Sequence, residues 1–214
     1  MNKREIRHQR RKDFFIKAAM EVLKSGDENL INAKEIASRA GYSASSIYDY
    51  FNSLDDLLMK CVDEYMEEID ILMKKEIEKT KFTADKIKVS YLVYTKYFLD
   101  NPLLFKTIFM SKTSKARFST DVSLMPKFYK MGIERLKTLE EFEKNLSLKK
   151  GAGALIEKTL TPNMFGVLYM YFFGIYEYSQ EELLKIFEST IDNFLKPYRE
   201  IELIKYKEND QEEI

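Results

Sequence analysis

NAKEIASRAGYSASSIYDYF, residues 32–51, predicts two short helices joined by a tight turn. Asn32 is a favourable N-cap, and Glu35 lies three residues later, as in a relative of the capping box. Gly41 ends the first helix, because glycine adopts a positive φ at low cost. We expect the side chain of Ser43 to cap the second helix.

The second predicted helix has two kinds of side chain. Ile47 and Phe51 lie four residues apart, so both can anchor the helix to a core. The remaining positions carry small hydroxyls, tyrosines and one carboxylate: Ser45, Ser46, Tyr48, Asp49 and Tyr50. An exposed face of hydroxyls and tyrosines suits close approach to base edges and phosphates. The stretch therefore predicts a DNA-reading helix-turn-helix.

The segment Lys12–Leu58 resembles the DNA-binding domain of the tetracycline-repressor (TetR) family of transcriptional regulators. The most specific part is I-A-x-x-A-G, followed closely by I-Y-x-Y-F. FFIKAAMEVLKSG precedes this part as an amphipathic first helix, and NSLDDLL follows as the start of a longer fourth helix. Farther on, NPLLFKTIFM resembles the segment with which the sixth helix of the family usually begins.

The resemblance implies an all-α protein with two domains. A three-helix helix-turn-helix domain would occupy residues 1–55, and a larger helical domain for effector binding and dimerisation would occupy residues 56–214. It further implies a homodimeric regulator, most often a repressor, that binds a palindromic DNA operator. A small-molecule effector in the C-terminal domain would control it.

Two positions favour an alternative function. The family commonly has a phosphate-binding lysine at the start of its fourth helix, where this chain has Leu54. Asp49 in the reading helix is unfavourable beside phosphates, unless it accepts from a cytosine amino group. The alternative is a helical dimer that binds a small molecule or a protein and has a vestigial DNA head.

The distribution of charge is uneven although the net charge is zero. Residues 1–52 carry ten Lys and Arg against seven Asp and Glu, and six of the bases lie in the first twelve residues. This asymmetry is typical of a basic reading head on a mildly acidic body. The basic arm, residues 3–12, would either enter a minor groove or act as a solubilising tail that frays.

We assign DNA contacts to the basic arm and to the helix-turn-helix. Base edges or nearby phosphates would be contacted by Tyr42, Ser43, Ala44, Ser45 and Ser46. Tyr48 and Tyr50 would donate to phosphates. Positive charge would come from Lys34, Arg4, Arg7, Arg10 and Arg11.

The composition argues against several other classes of protein. His8 is the only histidine, which argues against Ser–His or Cys–His nucleophile pairs and histidine-rich metal sites. No glycine-rich phosphate loop occurs, and no apolar run approaches the ~20 residues that span a bilayer. Cys61 is the only cysteine, which suits a reducing compartment. We expect a cytoplasmic protein with no enzymatic activity, no cofactor and no metal.

The remaining pattern predicts long helices. One begins at Ser53 and has an apolar stripe that includes Leu72, and another covers residues 81–100. Asn101–Pro102 starts a further helix, and an apolar pattern covers residues 124–142. Residues 147–159, SLKKGAGALIEKT, are predicted to form a loop.

Thr161–Pro162 is predicted to open an apolar helix that runs to Tyr178, in which Gly166 and Gly174 permit close packing. Ser179 and Glu182 form a predicted capping box for the last helix, which would stop before Pro197. The tail after Arg199 is expected to fray.

Aromatic side chains concentrate in the C-terminal part of the chain. A cavity for an apolar or aromatic effector would be lined by Tyr94, Phe98, Phe105, Phe109, Phe128, Met131, Met164, Tyr169 and Phe173. For any single one of these residues, an ordinary core position is the competing interpretation. The resemblance also implies that the last two long helices form a two-fold dimer interface, through Tyr171, Ile175, Leu184, Phe187, Ile191 and Phe194.

Overall fold

The computed structural model describes residues 2–109 and 137–212, and all regular structure in these ranges is helical. The predicted all-α class is therefore confirmed. Residues up to Glu67, together with 101–109, belong to one compact unit. Glu68–Asp100 and the described residues from 137 onward belong to a second.

The first unit contains the predicted helix-turn-helix. Its elements are α1 (Lys3–Ser25), a 3₁₀ turn (Glu28–Leu30), α2 (Ala33–Ala40), a second 3₁₀ helix (Ala44–Asp49), the start of α3 (Leu54–Ile77), and α5 (Pro102–Phe109). We call Ala44–Asp49 the recognition segment. Helix α5 begins with proline at its first position, as predicted.

Helix α1 includes the whole basic arm. Asn2 accepts hydrogen bonds from the backbone of Arg4 and Glu5 at 2.9 Å each, and the Glu5 carboxylate accepts from the backbone of Asn2 at 2.9 Å. This capping box satisfies the first amides of the helix. The arm is therefore the first part of an ordered helix, which does not agree with the alternative of a frayed, solubilising tail.

Helix α3 begins as predicted, with Ser53 Oγ accepting from the backbone of Asp56 at 3.1 Å. Its apolar stripe is buried from Leu57 to Ile69, but Leu72 is 43% exposed. Cys61 is core, and burial raises the pKa of its thiol to about 12.

The second unit is built from α4 (Thr83–Asp100), α6 (described over 137–145), α7 (Ala152–Phe172) and α8 (Gln180–Glu212), together with the end of α3. The predicted core positions Ile87, Tyr91, Tyr94 and Phe98 on α4 are all buried. Only part of the predicted helical pattern over 124–142 lies within the described residues, where it carries the buried Leu139 and Phe142.

Helix α7 begins ten residues earlier than Pro162. The loop predicted over 147–159 is confirmed only up to Gly151, and its second part is helical from Ala152. The Glu143 carboxylate accepts hydrogen bonds from the backbone of Gly151 and Gly153, at 2.9 and 3.0 Å, and holds the start of the helix.

Pro162 lies inside α7 on its exposed side. Proline has no amide hydrogen, so the Lys158 carbonyl lacks its usual helical partner. This carbonyl lies on the exposed side of the helix, where water can bond to it. The helix ends at Phe172, not at Tyr178.

Helix α8 begins at the predicted capping box, in which Ser179 and Glu182 bond reciprocally. It passes through Pro197, which is also exposed, and continues to Glu212. The predicted stop and the frayed tail are both wrong. Glu202 accepts from the backbone of Thr83 and Ala84 at 2.6 and 3.1 Å, so the supposed tail caps α4.

The glycine that allows close packing is Gly153. A Cβ built there would lie 2.5 Å from the Leu139 carbonyl oxygen of α6. Gly166, in the same helix, has nothing within 4 Å of such an atom, and the same holds for Gly174, so those two glycines allow no close packing among the described residues of this chain.

These two positions in α7 form a matched pair for a stability test. We expect Gly153→Ala to lower the free energy of unfolding by about 1–3 kcal/mol, because α6 must move away. Gly166→Ala should raise it by about 0.5–1 kcal/mol through helix propensity. Urea unfolding of the full chain measures both, and equal effects would contradict the α6–α7 packing.

Candidate nucleic-acid interface

The turn of the helix-turn-helix is fixed by local hydrogen bonds. Asn32 Oδ1 accepts from the backbone of Glu35 at 2.9 Å, which confirms the predicted N-cap. The Glu35 carboxylate pairs with Arg39 at 2.7 Å, so the capping box is not reciprocal. Gly41 has φ 79°, and Tyr42 donates its amide to the Ala37 carbonyl at 2.8 Å, as in a Schellman motif.

The recognition segment is a 3₁₀ helix, where the sequence predicted an α-helix. Ser43 makes no side-chain cap; its Oγ lies 3.0 Å from Ser45 Oγ and 2.8 Å from Ser46 Oγ. Serine side chains compete with the backbone for hydrogen bonds, which weakens α-helix formation in so short a segment. The predicted cap is wrong, and the three hydroxyls form one cluster.

The segment has an inward and an outward side, as the sequence predicted. Ile47 and Phe51 are buried, at 0% and 2% exposure. Ser43, Ser45 and Asp49 are exposed, and Tyr48 is exposed by 56%. The half-exposed positions are Tyr42, Ala44, Ser46 and Tyr50. The residues from Tyr42 to Tyr50 that are assigned to DNA contact are therefore at least partly accessible, and Asp49, which lies among them in the chain, is exposed.

Phe15 of α1 is the centre of this unit. Its ring lies 5.1 Å from that of Tyr42, 5.6 Å from Tyr50 and 6.4 Å from Phe51, and it is fully buried. The rings of Tyr42, Tyr50 and Phe51 flank the recognition segment on both sides. Aromatic pairs at such distances add about 0.5–1.5 kcal/mol each beyond area burial, so the cluster fixes the segment on α1.

Four arginines lie on the exposed start of α1. Arg4, Arg7 and Arg11 are spaced by three and four residues, so they share one helical face beside Arg10. Arg11 Nη1 donates to Tyr50 Oη at 3.5 Å, and this bond raises the pKa of Arg11 above its ordinary value. The arginine face thus adjoins the recognition segment. Lys34 of α2 is also exposed.

Sequence reasoning missed two contacts at this junction. The His8 ring lies 4.7 Å from that of Tyr50, and Lys12 Nζ lies 5.3 Å from the Phe51 ring centre. Both pairs are about forty residues apart in the chain, so no local spacing signals them. They show that the arm packs on the recognition segment.

The predicted effector residues do not all belong to one unit. Phe98 and Met164 are buried in the second unit, whereas Phe105 and Phe109 belong to the first and contact each other at 5.0 Å. Tyr169 and Phe173 are about half exposed and stack at 4.2 Å. Phe128 and Met131 lie outside the described residues.

A cavity of about 280 Å³ does occur within the second unit. Its walls come from α3, α4 and α6: Asp70, Met73, Lys74, Ile77, Thr83, Lys86, Ile87, Ser90, Tyr91, Tyr94, Thr138 and Leu139. Among the described residues, Tyr94 is the one that lines the cavity and also belongs to the predicted set. The described residues contain no cluster of side chains that could hold a metal ion, and none of their helices is long and apolar enough to cross a membrane.

The residues predicted to form the dimer interface differ in how exposed they are. Phe187 and Ile191 are fully buried within the chain, so the prediction that they meet a second subunit is wrong. Leu184, Tyr171 and Phe194 are half-buried, and Ile175 is 55% exposed. The apolar side chains exposed around the end of α7 and the start of α8 are Tyr169, Met170, Phe173, Ile175, Tyr176, Tyr178 and Ile186.

Residues 15–61 match the sequence profile described as bacterial regulatory proteins, tetR family. The matched range covers the end of α1, the helix-turn-helix and the start of α3. The chain carries a TetR-family DNA-binding domain. The resemblance seen in the sequence is thereby confirmed, and no curated protein matches the chain.

Solved structures extend the likeness to most of the chain. The fatty acid degradation regulator FadR from Bacillus halodurans is 18% identical, with TM-score 0.57, over 85% of this chain and 94% of that one. A TetR-family regulator from Marinobacter aquaeolei VT8 is 15% identical, with TM-score 0.58, over 88% and 97%. A structure from Mesorhizobium loti assigned to this family is 18% identical, with TM-score 0.61, over 89% and 97%. The fold is that of TetR-family transcriptional regulators. Together with the matched profile, this fold supports the assignment of the chain as a DNA-binding regulator.

The two sides of the recognition segment differ in their expected effect on stability. Ile47→Ala should lower the free energy of unfolding by about 2–5 kcal/mol, because it leaves a cavity in the core. Tyr48→Ala, one residue later, should change it by less than about 0.5 kcal/mol. Urea unfolding followed by circular dichroism measures both. A comparable loss in Tyr48→Ala would contradict the outward position of this tyrosine.

Proposed function

We propose that this protein is a transcriptional repressor that binds a palindromic operator as a homodimer and is released by a small-molecule effector. It would act in the cytoplasm, on DNA, without catalysing a reaction. The observation that carries the proposal is the single accessible surface formed by the recognition segment and the arginine face of α1. Phe15 holds these two elements together.

The serine cluster and the tyrosines would divide the contacts to DNA. Ser43, Ser45 and Ser46 are small and accessible, so they suit base edges in the major groove. Tyr48 is exposed and would donate to a phosphate. Arg11 donates to Tyr50, so the hydroxyl hydrogen of Tyr50 remains available for a phosphate oxygen.

The charge of the surface supports binding to a polyanion. Lys34 is exposed and has no anionic partner among the described residues, whereas Arg39 is held by Glu35. The four arginines at the start of α1 add to this charge. Neutralising phosphates releases counterions, so the affinity for DNA should fall steeply with salt.

A two-fold dimer would place two reading surfaces on one duplex. The apolar side chains exposed at the end of α7 and the start of α8 support an isologous interface there, with Ile175 as its most exposed predicted member. Two copies related by a two-fold axis match a palindrome whose half-sites lie about one helical turn, ~34–36 Å, or a multiple apart.

Release by an effector would follow from a shift between two states. The two states would differ in the distance between the two reading surfaces of the dimer. A ligand that binds more tightly to the state that does not fit the operator lowers operator affinity, by an amount set by the difference between its binding free energies for the two states. Helix α3 contributes residues both to the first unit and to the wall of the cavity, so it is the element through which we expect the coupling.

Asp49 favours the alternative function. It is exposed on the reading surface, and a carboxylate there repels phosphates. A helical module with a vestigial DNA head would show weak DNA binding with a shallow salt dependence. The slope of log affinity against log salt separates this alternative from the repressor.

Tyr48 and Ser45 give the proposal a paired test. Tyr48→Phe should weaken binding to all duplexes by about fivefold, because one phosphate hydrogen bond worth ~1 kcal/mol is lost. Ser45→Ala should change the preferred bases with less effect on non-specific binding. Fluorescence anisotropy with duplexes of several sequences measures both, at two salt concentrations.

The matched control for these variants is Tyr206→Phe, which removes a hydroxyl from an exposed tyrosine of the second unit outside the proposed dimer interface. It should leave DNA binding unchanged. Unaltered affinity and base preference in both Tyr48→Phe and Ser45→Ala would contradict the assigned roles.

A further inference from the structure

The cavity of the second unit has mostly apolar walls. Met73 and Ile77 of α3, Ile87 of α4 and Leu139 of α6 line it together with the rings of Tyr91 and Tyr94. The volume of about 280 Å³ far exceeds the roughly 10–15 Å³ that one buried water molecule needs, so the cavity has room for a small organic molecule. The cavity therefore suits a short hydrocarbon chain or a small ring.

Three charged side chains also line the cavity. Asp70 and Lys74 of α3 pair with each other at 2.6 Å, so their charges cancel. Lys86 of α4 is half-buried and has no carboxylate within salt-bridge distance among the described residues. The net charge on the wall is therefore positive and is centred on Lys86.

A comparison along α4 shows how unusual this lysine is. Lys88, two residues later, is held by Glu188 at 2.8 Å and by Asp192 at 2.7 Å. Lys96 pairs with Asp100 at 3.1 Å. A half-buried ammonium without such a partner binds an incoming anion strongly, because little water screens the pair.

The first backbone amides and the Ser90 hydroxyl at this end of α4 are already engaged. Glu202 accepts from the backbone of Thr83 and Ala84, so the first amides of the helix are not available to a ligand. Ser90 donates its hydroxyl to the Ile87 carbonyl at 2.7 Å, which leaves it only as an acceptor. Lys86 is thus the group that would bind an anion.

We propose that this cavity binds a short apolar carboxylate, with the hydrocarbon part between α3, α4 and α6 and the carboxylate on Lys86. Its role as the effector rests on the proposed function, whereas binding itself does not depend on DNA. A neutral ligand of the same length would lose the ion pair, and a carboxylate without the chain would lose the apolar contacts. Both halves of the ligand are needed.

The test uses octanoate, 1-octanol and acetate as probes, titrated into the full chain by isothermal calorimetry. Octanoate should bind more tightly than 1-octanol by about tenfold or more, and acetate should not bind measurably. Lys86→Gln should remove the advantage of octanoate and leave 1-octanol unchanged. Lys86→Arg should retain the advantage, because the positive charge remains.

Lys96→Gln is the matched control, since it removes a charge from the same helix away from the cavity. It should bind all three probes as the unaltered chain does. Equal affinity for octanoate and 1-octanol, or full octanoate binding by Lys86→Gln, would overturn the proposal. Thermal unfolding of each variant verifies that it is folded.

A second titration keeps this inference distinct from the proposed function. Octanoate is added to the chain bound to its preferred duplex. If octanoate binds through Lys86 and the DNA affinity does not change, the result supports the binding site and contradicts the effector role. A chain that binds DNA but not octanoate overturns the site and leaves the regulator intact.

Discussion

The burial of Phe15 is the contact on which the reading surface depends. The ring is in contact with both ends of the recognition segment, through Tyr42 on one side and Tyr50 with Phe51 on the other. A 3₁₀ helix of six residues cannot hold its own shape in water, because short helices gain too few hydrogen bonds to offset nucleation. The segment therefore takes its position from α1, which also carries the arginines.

Helix α8 has the corresponding role in the second unit. Its length past Pro197 allows Arg199 to pair with Asp85 and allows Glu202 to cap α4. Lys88 adds a further ion pair between the same two helices. These contacts fix the start of α4, where the cavity and its lysine lie. The same packing that stabilises the unit thus orients the residues that would recognise a ligand.

Much of this architecture could be predicted from the sequence, because caps and helical periodicity are local signals. Asn32, Gly41 and Ser53 act where the pattern placed them. The boundaries predicted at Pro162 and Pro197 were wrong, since both prolines lie on exposed helix faces while neighbouring side chains are buried. Tertiary burial there outweighs the ~3 kcal/mol cost of proline in a helix. The cavity and the Phe15 cluster join residues that are distant in the chain, so spacing alone does not reveal them.

The most direct measurement of the central claim is selection of bound duplexes from a random DNA pool, at low and at high salt. The account predicts recovery of a two-fold symmetric sequence, because a symmetric pair of reading surfaces selects a symmetric site. It also predicts that binding weakens steeply with salt, because the arginines in the proposed complex would neutralise phosphates and release counterions. Absence of any enriched sequence, with weak and salt-independent binding, would contradict the account and favour a helical module that does not read DNA.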